Sequence, residues 1–282
     1  MDTVDSALSG SREAAQAPAH EADLARRFGG LARLYGDEGL ARLQAAHVCV
    51  IGVGGVGSWA AEALARSAVG AITLIDLDHI AESNANRQLH ALDPDWGMAK
   101  VEAMSRRILA INPACRVTAI DDFVTPENVA ALLQGFDYVI DAIDAVRVKT
   151  AIAAHCVAQR MPVVLCGAAG GQLDPARVAV EDLSRTVQDP LLAKVRGNLR
   201  RQHGFSRDPK RRFGIQAVFS HEPLRYPEAV ACAPGTPGAD GPQGLNCAGF
   251  GSSVVVTATF GFVAAAQAIN TLTQSGRKVA HE

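Results

Sequence analysis

Short apolar runs alternate with longer amphipathic stretches through the first 170 residues of this chain. The runs at 46–51, 71–75, 116–120, 138–140 and 162–166 are rich in Val, Ile, Leu and Cys, the pattern of strands covered on both faces. Between them, 56–68 sets Trp59, Ala63 and Leu64 at helical spacing. Residues 97–111 are amphipathic and stop at Asn112-Pro113, and 146–159 is again helical. Thr125-Pro126-Glu127 predicts another helix start, with Thr125 as N-cap and Pro126 at the first helical position. Strands alternating with such helices predict an α/β fold: a doubly wound, mostly parallel sheet with right-handed crossovers and a C-terminal extension.

The pattern changes after Gly170-Gly171. Residues 177–181 predict a short strand. The stretch 194–212 is strongly basic, with Lys194, Arg196, Arg200, Arg201, Arg207, Lys210, Arg211 and Arg212 against one acid, Asp208. Residues 233–244 are rich in Gly and Pro and read as a loop. Residues 248–269 carry no charge and are long enough to span a bilayer. They include Thr257, Thr259, Gly261 and Gln267, which favours a helix buried in the protein or in a dimer interface. The expected division is a disordered tail over 1–22, a nucleotide-binding domain over 23–171, a substrate-binding and dimerisation region over 172–275, and a tail over 276–282.

Composition narrows the function classes. Net charge is −2, so contact with nucleic acid must come from a local patch. Aromatic residues make up 5%, which argues against a broad stacking platform for single-stranded RNA. The six cysteines form no Cys-x-x-Cys pair, so structural zinc has no support. Cys49 and Cys166 sit in apolar strands as reduced thiols, and no secretory signal precedes the first strand; a cytoplasmic protein is expected.

The chemistry starts at the first strand–helix turn. Gly52, Gly54 and Gly57 fit Gly-x-Gly-x-x-Gly, with Gly55 between them. Such a turn lets the backbone approach phosphate oxygens, and the helix N-terminus behind it favours negative charge. Asp76 ends the second strand, where a carboxylate commonly accepts from ribose hydroxyls; Asp78 is the competing candidate. Asn84 and Arg87, in Ser83-Asn84-Ala85-Asn86-Arg87, and then Lys100 add an amide and two cations. Fixed cations stabilise the charge that develops when a polyphosphate breaks, which a dinucleotide held in place does not require. Asp144, beyond the fourth strand, is the natural magnesium ligand, with capping of the next helix as the alternative. Asp141 suits a cap or a hydrogen-bond network at the strand end.

These motifs, in this order, resemble the adenylating domain of ubiquitin-activating-type enzymes, whose bacterial members include the molybdopterin-synthase and thiamine-biosynthesis adenylyltransferases. The resemblance covers about residues 24–170. It implies ATP contacts at Gly54, Asp76, Asn84, Arg87 and Lys100, and magnesium on Asp144. Three stretches, 27–36, 121–128 and 257–262, look like the tRNA threonylcarbamoyladenosine dehydratase branch of that family. That branch is similar in lacking the paired zinc cysteines of the sulfur-carrier activators.

The branch implies a tRNA substrate carrying N6-threonylcarbamoyladenosine. ATP would adenylate its free carboxylate, and intramolecular ring closure would release AMP, with net loss of water. The basic stretch would then dock tRNA, and a homodimer is implied. The wider family uses an arginine in an Arg-Tyr-x-Arg segment to reach the partner subunit's ATP. Here that segment reads Arg27-Phe28-Gly29-Gly30, and Arg33, one helical turn later, is the candidate replacement. A sulfur-relay partner, a cysteine desulfurase or sulfur acceptor, would need a thiol such as Cys232; cyclisation needs none, and Cys232 reads as structural or incidental. The competing functions are activation of a ubiquitin-like sulfur carrier and a non-catalytic or NAD-binding module.

Overall fold

The structure, a computed structural model, describes residues 22–226 and 250–274. Most of the expected tail at 1–22, Cys232, the Gly/Pro-rich loop 233–244 and the C-terminal tail lie outside the described residues.

Seven strands form one sheet in the order β3-β2-β1-β4-β5-β7-β6. The strands are β1 (His47–Ile51), β2 (Ala71–Ile75), β3 (Arg116–Ile120), β4 (Tyr138–Asp141), β5 (Val163–Cys166), β6 (Val178–Asp182) and β7 (Gln216–Ser220). The first five and β7 run parallel, while β6 pairs antiparallel with β7 through Val180↔Val218. This is the expected doubly wound architecture with its C-terminal extension. The order steps outward from β1 in both directions, so the loops after β1 and β4 open a crevice at the switch point.

The helices are α1 (Leu24–Ala45), α2 (Gly57–Arg66), α3 (Lys100–Ile111), α4 (Val129–Leu132), α5 (Val146–Ala158), α6 (Pro190–Gln202) and α7 (Val254–Gln274). Alternate strand residues feed the two sheet faces. Val48 and Val50 join Leu64, Met104 and Phe260 on the face covered by α1, α2, α3 and α7. Cys49 and Ile51 join Ile152, Cys156 and Leu199 on the face covered by α4, α5 and α6.

Two expectations shift. The helix expected from Thr125 is a single turn that begins only at Val129. Thr125 instead exchanges bonds with Asn128: its backbone N–H donates to Asn128 Oδ1 at 2.7 Å, and its Oγ1 accepts from Asn128 N–H at 3.2 Å. The Thr125 carbonyl also accepts from Val129 N–H at 3.0 Å, so Thr125 caps the turn over 126–128 that leads into α4. The amphipathic segment 97–111 becomes helical only at Lys100, because Gly97 has φ +81°. The apolar segment is the internal helix α7, whose Phe260, Ala264 and Ala265 are fully buried. At Gly261 a Cβ would collide with the Val56 carbonyl oxygen, so glycine lets α7 approach the start of α2. Among the described residues α7 is the one helix long and apolar enough to cross a membrane, and half of its most apolar window is buried inside the chain.

Candidate active site

A cavity of about 660 Å³ opens at the carboxyl ends of the parallel strands. That volume falls within the roughly 300–1,000 Å³ range of small-ligand sites. Its wall brings together Gly52, Gly54, Gly55, Asp76, Asn84, Arg87, Lys100 and Asp144. Parallel topology sends every strand-to-helix loop to one sheet edge, which is why residues so far apart in sequence meet. Gly57 does not line the cavity. Its task is packing: a Cβ there would collide with the Gly52 carbonyl oxygen. Gly52 has φ +83°, and its Cβ would lie 2.8 Å from Ile143 Cγ2. Gly54 has open space, with nothing closer than Gln88 Nε2 at 3.7 Å, and faces the cavity. Gly55 would press its Cβ on Arg87 Cγ at 3.2 Å.

Asp76 holds the turn in place. Its Oδ2 accepts from Val53 N–H at 2.6 Å and its Oδ1 from Asp78 N–H at 2.9 Å. Burial pushes its carboxyl above the usual range, opposed first by the Lys100 ammonium. Each oxygen keeps a further lone pair for a ligand hydroxyl. Lys100 Nζ donates to Asp78 Oδ2 at 2.7 Å. Arg87 Nη1 donates to the Ser83 carbonyl at 2.9 Å and to Asn86 Oδ1 at 2.8 Å. Asn84 Oδ1 accepts from Ala81 N–H at 3.1 Å, which fixes the segment that carries Arg87.

Asp144 is half-buried and makes no hydrogen bond or ion pair among the described residues. The helix-cap alternative is not realised, because the N-cap of α5 is Ala145 and no side chain bonds there. Asp141 takes the network role. Its Oδ1 accepts from Lys149 Nζ at 2.8 Å and from Ile143 N–H at 3.1 Å, beneath the cavity floor. Both partners of this pair are fully buried. Desolvation pushes the Asp141 carboxyl up, and Lys149 opposes it.

Two groups of expected site residues lie elsewhere. Arg33 is exposed on α1 and does not line the cavity of its own chain. The basic stretch divides. Arg196 turns inward and donates from Nη1 to Thr186 Oγ1 at 2.7 Å and to the Thr186 carbonyl at 3.0 Å. Arg200 donates to the Ser206 carbonyl at 3.2 Å and lies over the Phe213 ring. Arg201 donates to Asn198 Oδ1 at 2.5 Å. Lys194, Arg207, Lys210, Arg211 and Arg212 are exposed.

The cavity also holds residues that sequence reasoning missed. Gln88 follows Arg87 directly, is 7% exposed, and its Oε1 has no hydrogen-bond partner. Phe123, from the 121–128 stretch, and Phe250 add rings.

The pattern of the ThiF family matches residues 26–282. The chain belongs to the ThiF family. It is 53% identical over 248 residues to the tRNA threonylcarbamoyladenosine dehydratase of Escherichia coli K12, covering 86% of this chain and 92% of that protein. It is 51% identical to the Haemophilus influenzae protein of the same name, covering 88% and 93% of the two chains. The crystal structure of the E. coli dehydratase in complex with ATP superposes with a TM-score of 0.80 at 49% identity, covering 90% of this chain and 97% of that one.

Proposed function

We propose that this ThiF-family chain is an ATP-dependent dehydratase acting on N6-threonylcarbamoyladenosine in tRNA. The observation that carries the reading is the shared cavity, in which a glycine turn, Asp76, Arg87, Lys100 and an unpaired Asp144 face one space. The ribose of ATP lies at Asp76 and the phosphates cross the glycine turn toward Asp144. The threonyl carboxylate oxygen attacks the α-phosphorus, the bond to the bridging oxygen breaks, and pyrophosphate leaves beside Arg87 and Lys100. These cations meet charge as it develops, which is where fixed positive groups contribute most. The carbamoyl group then attacks the acyl-adenylate carbonyl, the ring closes, and AMP departs with the carboxylate oxygen. The oxygen of the lost water thus leaves in AMP.

Asp144 fits a magnesium ion, since that ion takes one or two protein carboxylates and fills its remaining positions with phosphate and water. No cluster of three or more His, Cys, Asp or Glu side chains among the described residues could hold a metal by itself, so the ion would arrive with the nucleotide. Magnesium there supplies neutralisation of the phosphate charge.

The exposed cations Lys194, Arg207, Lys210, Arg211 and Arg212 dock the tRNA. Pro190, at the start of α6, lines the cavity, whereas the loop cations follow the far end of that 13-residue helix. At 1.5 Å per residue they lie on the order of 20 Å from the chemistry, a spacing suited to stem phosphates. Arg33 serves the cavity of a second copy in a cytoplasmic homodimer. A sulfur-relay partner is an optional addition that the cyclisation does not use.

Pyrophosphate exchange tests the reading. Exchange is expected with ATP, magnesium and modified tRNA, and not with a ubiquitin-like carrier protein. Exchange with the carrier alone overturns it, and binding of NAD without ATP overturns the adenylation argument as well. For the dimer, mixing Arg33→Ala chains with Asp144→Ala chains is expected to restore activity that neither has alone.

A further inference from the structure

Two aromatic rings stand together at the lip of the cavity. Phe250 lines the cavity, and Tyr226 packs on it with ring centroids 5.1 Å apart and planes tilted by 54°. Tyr226 is 74% exposed. The pair is held by a built support. Gly171 N–H donates to the Gly251 carbonyl at 2.8 Å, and Arg225 N–H donates to the Gly171 carbonyl at 2.8 Å. Gly171 has φ +72°, and a Cβ there would press on Phe250 Cδ1 at 2.9 Å. Asn86 Nδ2 donates to the Ser252 carbonyl at 2.9 Å, which ties this lip to the segment that carries Arg87. Arg225, 68% exposed, pairs through Nε with Glu222 Oε1 at 3.6 Å, and its terminal amino groups stay open to solvent beside Tyr226.

We infer that Tyr226, backed by Phe250, forms a one-sided stacking clamp whose open face receives a purine base of the RNA substrate, with Arg225 beside it for the neighbouring phosphate. The inference rests on the proposed tRNA reaction. Sheet order decides which base the clamp receives. Asp76 follows β2 and the glycine turn follows β1, while Asp144 follows β4 and Gly167–Gly171 follows β5. Strands sit about 4.8 Å apart, so the rings over Gly170 and Gly171 stand roughly three strand spacings from the ribose carboxylate. Phe123, beyond β3, lines the cavity on the far side of Asp76 from this lip and offers that nucleotide's base a ring of its own. What remains at the β5 side is the direction from which the substrate carboxylate must approach the α-phosphate. Few aromatic residues exclude a sheet-wide platform, but one base needs only two rings. The open face of Tyr226 supplies a π surface, and an adjacent arginine is the usual companion of such stacking.

The test uses the full chain and an anticodon stem–loop RNA carrying N6-threonylcarbamoyladenosine, with 2-aminopurine at the adjacent position. Wild type is expected to turn the RNA over and to quench the 2-aminopurine. Tyr226→Ala is expected to raise KM for the RNA about 10-fold, in line with about 1–3 kcal/mol per stacked base. It should abolish the quench and leave kcat and the ATP KM unchanged. Tyr226→Phe should restore both RNA readouts. Phe250→Leu should raise the RNA KM and weaken the quench in the same direction. An unchanged RNA KM in the alanine variant overturns the clamp, and so does an effect confined to the ATP KM, which would assign the rings to the ATP base. Wild-type quenching is read without any variant, and its absence overturns the clamp regardless of how the variants fold. If wild type turns over no modified RNA, the underlying reaction fails, a result distinct from either.

Discussion

Lys100 Nζ lies 2.7 Å from Asp78 Oδ2, with the lysine side chain 6% exposed and the aspartate side chain 60% exposed. The cation is therefore buried against the cavity wall while its counter-charge faces water. Burying an ammonium is costly, and Asp78 and Asp76 offset that cost until a polyanion enters. Arriving phosphates can take over the lysine because the Asp78 carboxylate loses little by turning to solvent. Lys100→Met keeps the side-chain volume and removes the charge. It is expected to lower kcat/KM for adenylation about 10²–10³-fold, the range for one transition-state donor. Asp78→Asn is expected to stay within about fivefold of wild type, since an exposed partner contributes roughly 0–1 kcal/mol. Pyrophosphate exchange rates measure both.

The glycine turn predicts two opposite outcomes for the same substitution. Gly57→Ala forces a methyl into the Gly52 carbonyl and should cost about 3 kcal/mol, roughly 6–12 °C in Tm. Gly54→Ala meets only Gln88 Nε2 at 3.7 Å and should leave Tm unchanged. Its methyl instead occupies the approach of a phosphate, so the ATP KM should rise about 10-fold, or 1.4 kcal/mol. Thermal melts and ATP titrations of the two variants separate the packing glycine from the binding one.

Much of this was legible because parallel strands buried on both faces read as apolar runs, and because the topology sends their following loops to one edge. Thus Gly54, Asp76, Arg87, Lys100 and Asp144 could be gathered before any geometry was known. The strand β7 was not legible: Gln216–Ser220 opens on a glutamine, ends on a serine and follows the basic run Lys210-Arg211-Arg212, and its burial comes from neighbours. The helix α1 was obscured by Gly29, Gly30, Gly36 and Gly39, and Gly36 does kink it with φ +78°. Pairings between distant segments left no local trace. Nothing adjacent to Phe250 signals that Tyr226 will pack on it, and nothing near Arg196 signals that Thr186 will bind its guanidinium.

That last pairing predicts that the basic stretch is two things. Arg196→Ala removes bonds to the Thr186 carbonyl and hydroxyl and should destabilise the fold by about 2 kcal/mol. Its effect on tRNA affinity should follow only from lost stability. Lys210→Ala and Arg211→Ala should leave Tm unchanged and weaken tRNA binding. Each neutralised cation that contacts a phosphate should reduce the slope of log K against log salt by about 0.7–0.9. Binding isotherms across a salt series, beside thermal melts, give both readouts. A reduced salt slope in Arg196→Ala would move that residue into the RNA surface.

The acid limb of stability should run through His90. Its ring is 3% exposed, and neither nitrogen has a hydrogen-bond partner among the described residues. Burial, then the nearby Lys100 ammonium, lowers its pKa from 6.5 to about 4, with Asp95 opposing. The folded chain therefore keeps a neutral imidazole while the unfolded chain takes up a proton below about pH 6.5. A depressed folded pKa gives stability that is complete above the unfolded value and is lost as pH falls toward the folded one. Between pH 7 and pH 5 the loss amounts to about 2 kcal/mol. His47 is lowered as well, first by burial and then by Arg116, and adds a smaller slope of the same sign. His90→Leu removes the titration without adding a charge or a polar atom. Urea unfolding at pH 7, 6 and 5 should show wild type losing stability across that window and the variant losing markedly less. Parallel losses in the two proteins would place the acid sensitivity in other groups.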